Sequence, residues 1–214
     1  EVVGIGRDRD RLTSVTLASG ETVACGTVVN AAGPRASQIA DMVGVELKVE
    51  PRKRYTFVFD CAEDLGRDVP LTIDPSGVHV RSDGDAYMAG CTPDIDPAVA
   101  YDDYEIDQDI FEDKVWPALV NRIPAFERIK IQTQWAGHYA HNDFDHNVIV
   151  GPHGDVANFV LANGFSGHGV QQSPAIGRGV SELITYGEYR TLDLTSLGHA
   201  RIVDGEPFIE SAII

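Results

Sequence analysis

The stretch most informative about chemistry joins a strand-like run to a helix through a glycine-rich loop. Residues 158–162 have the apolar composition of a strand, residues 164–169 read Gly-Phe-Ser-Gly-His-Gly, and residues 173–186 show helical spacing. Pro174 suits the first turn of that helix. Free N–H groups and the positive end of a helix stabilise a negatively charged group. A tight turn without a ligand is the alternative for such a loop taken alone.

A second strand also ends in residues too small to obstruct a ligand. The run Val28–Gly33 predicts a buried strand that closes on Ala31, Ala32 and Gly33. Small residues let the backbone approach a bound group, although a close strand-to-helix contact would also require them. Between these two features, alternating apolar runs in residues 45–91 predict a mostly antiparallel sheet.

The composition limits the classes of partner. Its 17 Lys and Arg residues against 33 Asp and Glu residues give a formal net charge of -16. This charge repels phosphate backbones and anionic membranes, so nucleic acid is not an expected partner. No window approaches the roughly 18 apolar residues of a membrane span. The cysteines, Cys25, Cys61 and Cys91, form no zinc pattern, which favours a reducing compartment and a cytoplasmic location.

The elements around the two loops have an α+β pattern. Residues 1–32 predict a meander of short strands, and Ala36–Val43 predict a short helix that Gly44 stops. Helical spacing over Asp109–Leu119 predicts a helix that ends near Pro117 and resumes weakly toward Pro124. Three later strands are predicted at residues 129–139, 148–150 and 158–162.

Three longer strings resemble one family of proteins. They are Trp-Ala-Gly-His-Tyr at 135–139, Val-Gly-Pro-His at 150–153 and Gly-Phe-Ser-Gly-His-Gly-Val-Gln-Gln at 164–172. The sequence resembles the D-amino-acid oxidase superfamily of FAD-dependent oxidoreductases, which includes sarcosine oxidase, glycine oxidase and dimethylglycine dehydrogenase. The likeness is greatest to the branch of FAD-dependent oxidoreductase-domain proteins associated with mitochondrial complex I assembly. The tail, Leu192–Leu194 and Glu-x-x-Ile-Ile at 210–214, fits that branch too.

The resemblance implies an α+β chain in two parts. A mixed, mostly antiparallel substrate-domain sheet with helices on one side is expected over residues 45–134. The remnant of an α/β FAD-binding domain is expected over residues 1–44 and 135–214. The dinucleotide fingerprint Gly-x-Gly-x-x-Gly and the acidic ribose ligand are expected in an N-terminal segment before Glu1, so that missing segment is an expected partner.

The resemblance also implies non-covalent FAD. It places the adenine against Val2 and the diphosphate at the strand end Ala31–Gly33. It places the flavin above Gly167–Gln171, where backbone N–H groups stabilise the negative charge that develops when the flavin is reduced. Sarcosine oxidases attach the flavin through a cysteine where this chain has Gly137, so no covalent link is expected. The implied cofactor-binding residues are Val2, Ala31, Ala32, Gly33, Gly137, Gly167, His168, Gly169, Val170 and Gln171.

The implied reaction is oxidation of an amine or amino acid, of N-methyl or α-amino acid type, by hydride transfer to FAD. Tyr139 stands where glycine oxidase has a carboxylate-binding arginine. His79 lies near a pocket tyrosine of relatives and could keep an amine neutral, although its strand is uncertain in phase by one residue. Arg81 offers a guanidinium to a carboxylate, with Arg54 and Lys53 as other candidates, and an exposed strand charge is its alternative role.

Other residues bear on the electron acceptor and on rival functions. Gln171 stands where sarcosine oxidases have a lysine, which favours a dehydrogenase that passes electrons to another acceptor over a fast oxidase. Oxygen and a protein both stay open as the electron acceptor. Trp135 is predicted to lie in the core and Tyr139 in a pocket.

The histidines between 138 and 153 match no ligand pattern, so no metal site is predicted. A non-catalytic FAD-binding assembly protein and a cofactor-free fragment of the parent oxidoreductase stay open as alternatives.

Overall fold

A computed structural model describes residues 1–211 of the chain, which divides into two compact units. The first unit comprises Glu1–Pro51 and the described chain from Tyr139 onward, and the second comprises Arg52–His138. The end of the predicted Glu-x-x-Ile-Ile tail, residues 212–214, lies outside the described residues. Mixed helices and mostly antiparallel sheets confirm the predicted α+β class.

The elements are numbered along the chain. The strands are β1 (Val2–Asp8), β2 (Arg11–Leu17), β3 (Thr22–Ala24), β4 (Val28–Asn30), β5 (Val49–Cys61), β6 (Thr72–Ile73), β7 (His79–Asp83), β8 (Ala86–Cys91), β9 (Ile129–Asn142), β10 (Ile149–Pro152) and β11 (Phe159–Asn163). The α-helices are α1 (Ala36–Asp41), α2 (Trp116–Arg122), α3 (Gly169–Tyr186) and α4 (Ala200–Asp204). The sheets have the orders β1-β2-β3, β10-β11-β4 and β6-β7-β8-β5-β9.

Strand β11 is the centre of the first unit. It pairs antiparallel with β10 and parallel with β4, and all of its residues are buried. Phe159 and Leu161 belong to the apolar cluster that contains residues of α1, whereas Val160 and Ala162 belong to the cluster that contains residues of α3. Because successive side chains of a strand point to opposite faces, β11 is apolar throughout and covered on both faces.

Strand β4 is shorter and more exposed than predicted. The run expected to be buried forms a strand only over Val28–Asn30, and Val29 is 39% exposed. Among the described strands, β4 has β11 as a hydrogen-bonded neighbour on one side only. Its place at the edge of the sheet explains the exposure, and the expectation of a fully buried strand is wrong.

The second unit has its core on one face of the five-stranded sheet. Phe57, Phe59 and Val80 are buried there with Phe111 and Phe126. The rings of Phe59 and Phe126 meet edge to face at 5.2 Å, and those of Phe57 and Phe111 are 4.8 Å apart. Such pairs add to the stabilisation from burial, and they fix which residues of each strand point toward the core.

The helix predicted over Asp109–Leu119 does not stop at its proline. A π-helical turn over Phe111–Val115 leads into α2, which continues through Pro117 to Arg122. Pro117 lies in the first turn of α2, directly after a π-helical turn in which the N–H of Trp116 donates to the backbone oxygen of Phe111. The predicted end at Pro117 is therefore wrong.

Candidate cofactor site

The carboxyl ends of β4 and β11 lie side by side in the first unit. Val29 pairs with Val160, and Asn30 pairs with Leu161, in parallel register. The loops that follow the two strands therefore leave the same edge of the sheet, which is where ligands of parallel sheets bind. The side-chain Nδ2 of Asn163 donates to the backbone oxygen of Asn30 at 2.9 Å and ties the two ends together.

The side chain of Asn30 shapes the loop after β4. Its Nδ2 donates to the backbone oxygen of Ala36 at 2.9 Å, and its Oδ1 accepts from the N–H of Ala32 at 3.2 Å. Ala31 and Ala32 are exposed. Gly33 has a φ of +58°, and a Cβ placed there would meet no described atom within 4 Å. The three residues assigned to the diphosphate thus line an open surface of this unit.

The loop after β11 packs tightly against the end of β9. Gly164 and Gly167 have φ values of +68° and +99°, and Ser166 has +45°. A Cβ at Gly164 would lie 2.9 Å from the Cβ of Asn142, and one at Gly167 would lie 2.6 Å from Cε2 of Tyr139. Both the backbone conformation and the space therefore require glycine at 164 and 167.

Ser166 is buried and fastens this loop to β9 twice. Its N–H donates to the backbone oxygen of Ala140 at 3.0 Å. Its Oγ accepts from the N–H of Asn142 at 3.1 Å. A non-glycine residue with positive φ is strained and persists only where its surroundings hold it, so these two bonds maintain the shape of the loop.

Helix α3 begins at Gly169, with His168 at its N-cap, so the predicted start near residue 173 is wrong and Pro174 lies inside the helix instead of in its first turn. Among the described residues, no side chain caps this end, and the first turn contains no acidic residue. The N–H groups of Gly169, Val170 and Gln171 have no acceptor within the helix. The positive end of an 18-residue helix therefore lies within the segment predicted to bind the flavin, Gly167–Gln171.

Three buried polar atoms around the two loops have no hydrogen-bond partner in the described part of the chain. They are Oδ1 of Asn163, Nδ1 of His168 and Oε1 of Gln172. Asn163 is 0% exposed. Buried polar atoms are nearly always paired, so an unpaired group calls for an explanation such as a bound ligand or water. The sequence interpretation did not single out Asn163 or Gln172 as site residues, although Asn163 directly precedes the Gly-Phe-Ser-Gly-His-Gly-Val-Gln-Gln string and Gln172 is its last residue.

In the second unit, His79 and Arg81 share one face of the five-stranded sheet. Val80 between them is buried in the core, which fixes the phase of β7 that the sequence left open. The Nε2 of His79 lies 2.9 Å from the position that a Cβ on Gly90 would occupy. Burial lowers the pKa of His79 below its usual 6.5, and its Nδ1 has no described partner. Burial therefore favours the neutral form of the His79 imidazole.

The three cations considered for carboxylate binding each pair with an acid. The pairs are Arg81 with Asp83 at 2.9 Å, Arg54 with Asp96 at 2.8 Å and Lys53 with Asp103 at 2.9 Å. The side chain of Arg81 is 43% exposed, against 10% for Arg54 and 17% for Lys53. An exposed pair contributes little and exchanges readily, so Arg81 is the cation of the three that a ligand can most easily recruit.

The remaining predicted residues lie at separate points. Tyr139 belongs to the first unit, beneath Gly167. A Cβ at Gly137 would meet no described atom within 4 Å. Val2 opens β1 and is half-buried opposite Leu17. Trp135 is 44% exposed, because its neighbour Ala136 packs against the core and successive side chains of β9 point to opposite faces. Its predicted place in the core is wrong.

A comparison with known families decides the class of protein. Residues 1–183 match the family described as DAO, FAD dependent oxidoreductase. The chain belongs to this family. The predicted resemblance is thereby confirmed, and FAD is the cofactor of the family, as predicted. No helix in residues 1–211 is long and apolar enough to cross a membrane.

Curated relatives are longer than this chain. It is 42% identical over 207 residues to FAD-dependent oxidoreductase domain-containing protein 1 of Bos taurus, covering 91% of this chain and 43% of that protein. It is 25% identical over 167 residues to mitochondrial sarcosine dehydrogenase of Mus musculus, covering 75% of this chain and 18% of that protein. The chain thus spans less than half the length of these relatives.

Solved structures share the fold. L-proline dehydrogenase from P. horikoshii superposes with a TM-score of 0.86 and 27% identity, over 97% of this chain and 55% of that chain. Glycine oxidase from Geobacillus kaustophilus superposes with a TM-score of 0.74 and 22% identity, over 92% of this chain and 51% of that chain. The second likeness concerns the fold alone.

Proposed function

We propose that the chain is part of a flavin-dependent oxidoreductase that oxidises an amine or amino acid, of N-methyl or α-amino acid type. The observation that carries the proposal is the pair of parallel strand ends, joined by Asn163 and Asn30, beside the uncapped start of α3. Membership of the FAD-dependent family supports the cofactor. The names of L-proline dehydrogenase and sarcosine dehydrogenase support the class of substrate.

In this proposal the first unit is the FAD-binding part and the second unit the substrate-binding part. FAD, when bound, supplies the hydride acceptor. Residues 31–33 and 167–171 would hold it without a covalent bond, because their small side chains, free N–H groups and positive helix end suit its anionic groups. The unpaired atoms of Asn163, His168 and Gln172 fit a cofactor that is rich in donors and acceptors. We propose that a segment outside residues 1–214 supplies the rest of the nucleotide-binding fold.

Three side chains are proposed to act on the substrate. His79, whose neutral form burial favours, would accept a proton from the ammonium form of the substrate, since the α-carbon gives up hydride only when the nitrogen lone pair is free. Arg81 would exchange Asp83 for a substrate carboxylate. Tyr139 would contact the substrate from its place beneath Gly167.

The electron acceptor and the compartment follow from other residues. Gln171 stands where sarcosine oxidases have a lysine, which supports a dehydrogenase that passes electrons to another acceptor over a fast oxidase. The three cysteines are free, which supports a reducing compartment, and we propose the cytoplasm.

The test uses the full-length protein. Its visible absorption spectrum is recorded before and after acid precipitation, and then under anaerobic conditions with sarcosine, proline, glycine and dimethylglycine in turn. We expect a flavin spectrum, flavin released into the acid supernatant, and bleaching by at least one amine. An Arg81→Gln variant should need a higher concentration of a carboxylate substrate for the same rate of bleaching, and Arg128→Gln, which alters another exposed ion pair, should not. A flavin that no amine bleaches would refute the reaction, and a colourless protein would refute the cofactor.

A further inference from the structure

A buried ion pair connects the C-terminal segment, residues 200–211, to the body of the first unit. Arg201 of α4 and Asp145, in the loop before β10, are bidentate: Nε lies 2.6 Å from Oδ2, and Nη2 lies 2.9 Å from Oδ1. The side chains are 7% and 0% exposed, respectively. Burial alone would raise the pKa of Asp145, but the hydrogen bonds from Arg201 and from the N–H of Phe208 hold it below 3.8. The pair is therefore ionic at neutral pH.

The surroundings of the pair satisfy its remaining hydrogen-bonding groups. The other guanidinium N–H groups donate to backbone oxygens of Leu197, Gly198, Asn147 and Val148. Asp145 also accepts from the N–H groups of Asn147 at 3.2 Å and Phe208 at 3.0 Å. Each charged group of the pair thus has its hydrogen-bond partners within the fold. Removing Arg201 or Asp145 would leave the other charge buried without an opposite charge, which strongly destabilises a protein.

One residue separates this pair from the loop after β11. The Nδ2 of Asn142 donates to Oδ1 of Asp145 at 2.7 Å, and the backbone N–H of Asn142 donates to Oγ of Ser166 at 3.1 Å. The Cβ of Asn142 lies 2.9 Å from the position that a Cβ on Gly164 would occupy. A shift of Asn142 therefore changes both the bond that holds strained Ser166 and the surface on which the loop lies.

We infer that Arg201 and Asp145 are positioning residues that hold the loop Gly164–Gly167 in its ligand-binding shape, so that the C-terminal segment controls how firmly the cofactor is retained. The identity of the cofactor rests on the proposed function, whereas the effect on the loop does not. Neither residue lies in the two loops themselves, so both act through Asn142.

The test compares two buried carboxylates of the same unit in the full-length protein. Asp145→Asn keeps the size of the side chain and removes the charge that faces Arg201. Glu182→Gln is the matched control, because Glu182 accepts from Thr191 and Arg190 and bonds to no residue of the loop. Hydrogen exchange of peptides covering residues 160–170 is measured without cofactor. FAD affinity is measured by flavin fluorescence, with both variants held under conditions where they are folded.

For Asp145→Asn we expect exchange in residues 164–168 to rise roughly tenfold or more and FAD to bind roughly tenfold more weakly. For Glu182→Gln both quantities should stay within about twofold of the parent protein. Equal changes in the two variants, or no change in Asp145→Asn, would overturn the inference. If the parent protein binds no FAD, the proposed function fails, and the exchange result still decides the inference. If Asp145→Asn does not fold, Arg201→Lys replaces it, and parental exchange in that variant would overturn the inference.

Discussion

The ring of Tyr139 lies directly against the backbone of Gly167, where a Cβ would sit 2.6 Å from Cε2. The same glycine has a φ of +99°, a backbone conformation that residues with a side chain rarely adopt. Two independent constraints therefore act at one position of the candidate site. The contact also places an aromatic ring beneath the loop that leads into α3.

Gly167→Ala should deform this loop. We expect a loss of about 1–3 kcal/mol in the free energy of unfolding and weaker binding of FAD, because the new methyl group meets Tyr139 and the backbone is strained. Gly177→Ala in α3 is the control, since a Cβ there meets no described atom within 4 Å. That change should stabilise the protein by about 0.5–1 kcal/mol. Urea unfolding measures both, and parental stability of Gly167→Ala would show that the loop adapts freely.

The bond between Asn163 and Asn30 should couple the two strand ends to FAD binding. Asn163→Ala leaves the backbone oxygen of Asn30 without this donor, which we expect to cost about 1–3 kcal/mol of stability and to weaken FAD binding. Asn158→Ala is the matched control. Asn158 flanks the opposite end of β11 and bonds there to Leu12 and Gly26. It should lower the stability while leaving the FAD affinity of the folded protein unchanged. Equal affinities in the two variants would argue against a role for Asn163 at the site.

The sequence does not predict these long-range hydrogen bonds. A strand is predicted over residues 129–139, and β9 forms over Ile129–Asn142. The strand could be predicted because alternation of apolar and polar residues is a local signal. By contrast, Asp145 and Arg201 are 56 residues apart, and Asn163 and Asn30 are 133 apart. A side-chain bond between distant residues leaves no period in the sequence. The glycine loops were visible from sequence, whereas the side chains that hold them were not.

His79 should titrate below the ordinary histidine range. Burial lowers its pKa from 6.5, so the unfolded chain binds the proton more readily than the folded chain does. Its contribution to stability is therefore complete above pH 6.5 and is lost as the pH falls through the folded pKa. We expect NMR of the ring protons to show a midpoint below 6.5, and His79→Gln to reduce the loss of stability on acidification. A midpoint at or above 6.5 would remove the argument that burial favours the neutral form of His79.

Glu182 should stabilise the first unit down to strongly acidic pH. Hydrogen bonds from the hydroxyl of Thr191 and from the backbone N–H of Arg190 lower its pKa from 4.5 to about 2. Because the folded pKa lies below the unfolded one, its contribution is complete above pH 4.5 and is lost as the pH falls toward 2. Urea midpoints measured between these values should fall less steeply in Glu182→Gln than in the parent protein. Glu188→Gln, which changes an exposed carboxylate close by, serves as the control and should keep the parental slope. If Glu182→Gln also kept that slope, another acid would have to account for the acid sensitivity of this unit.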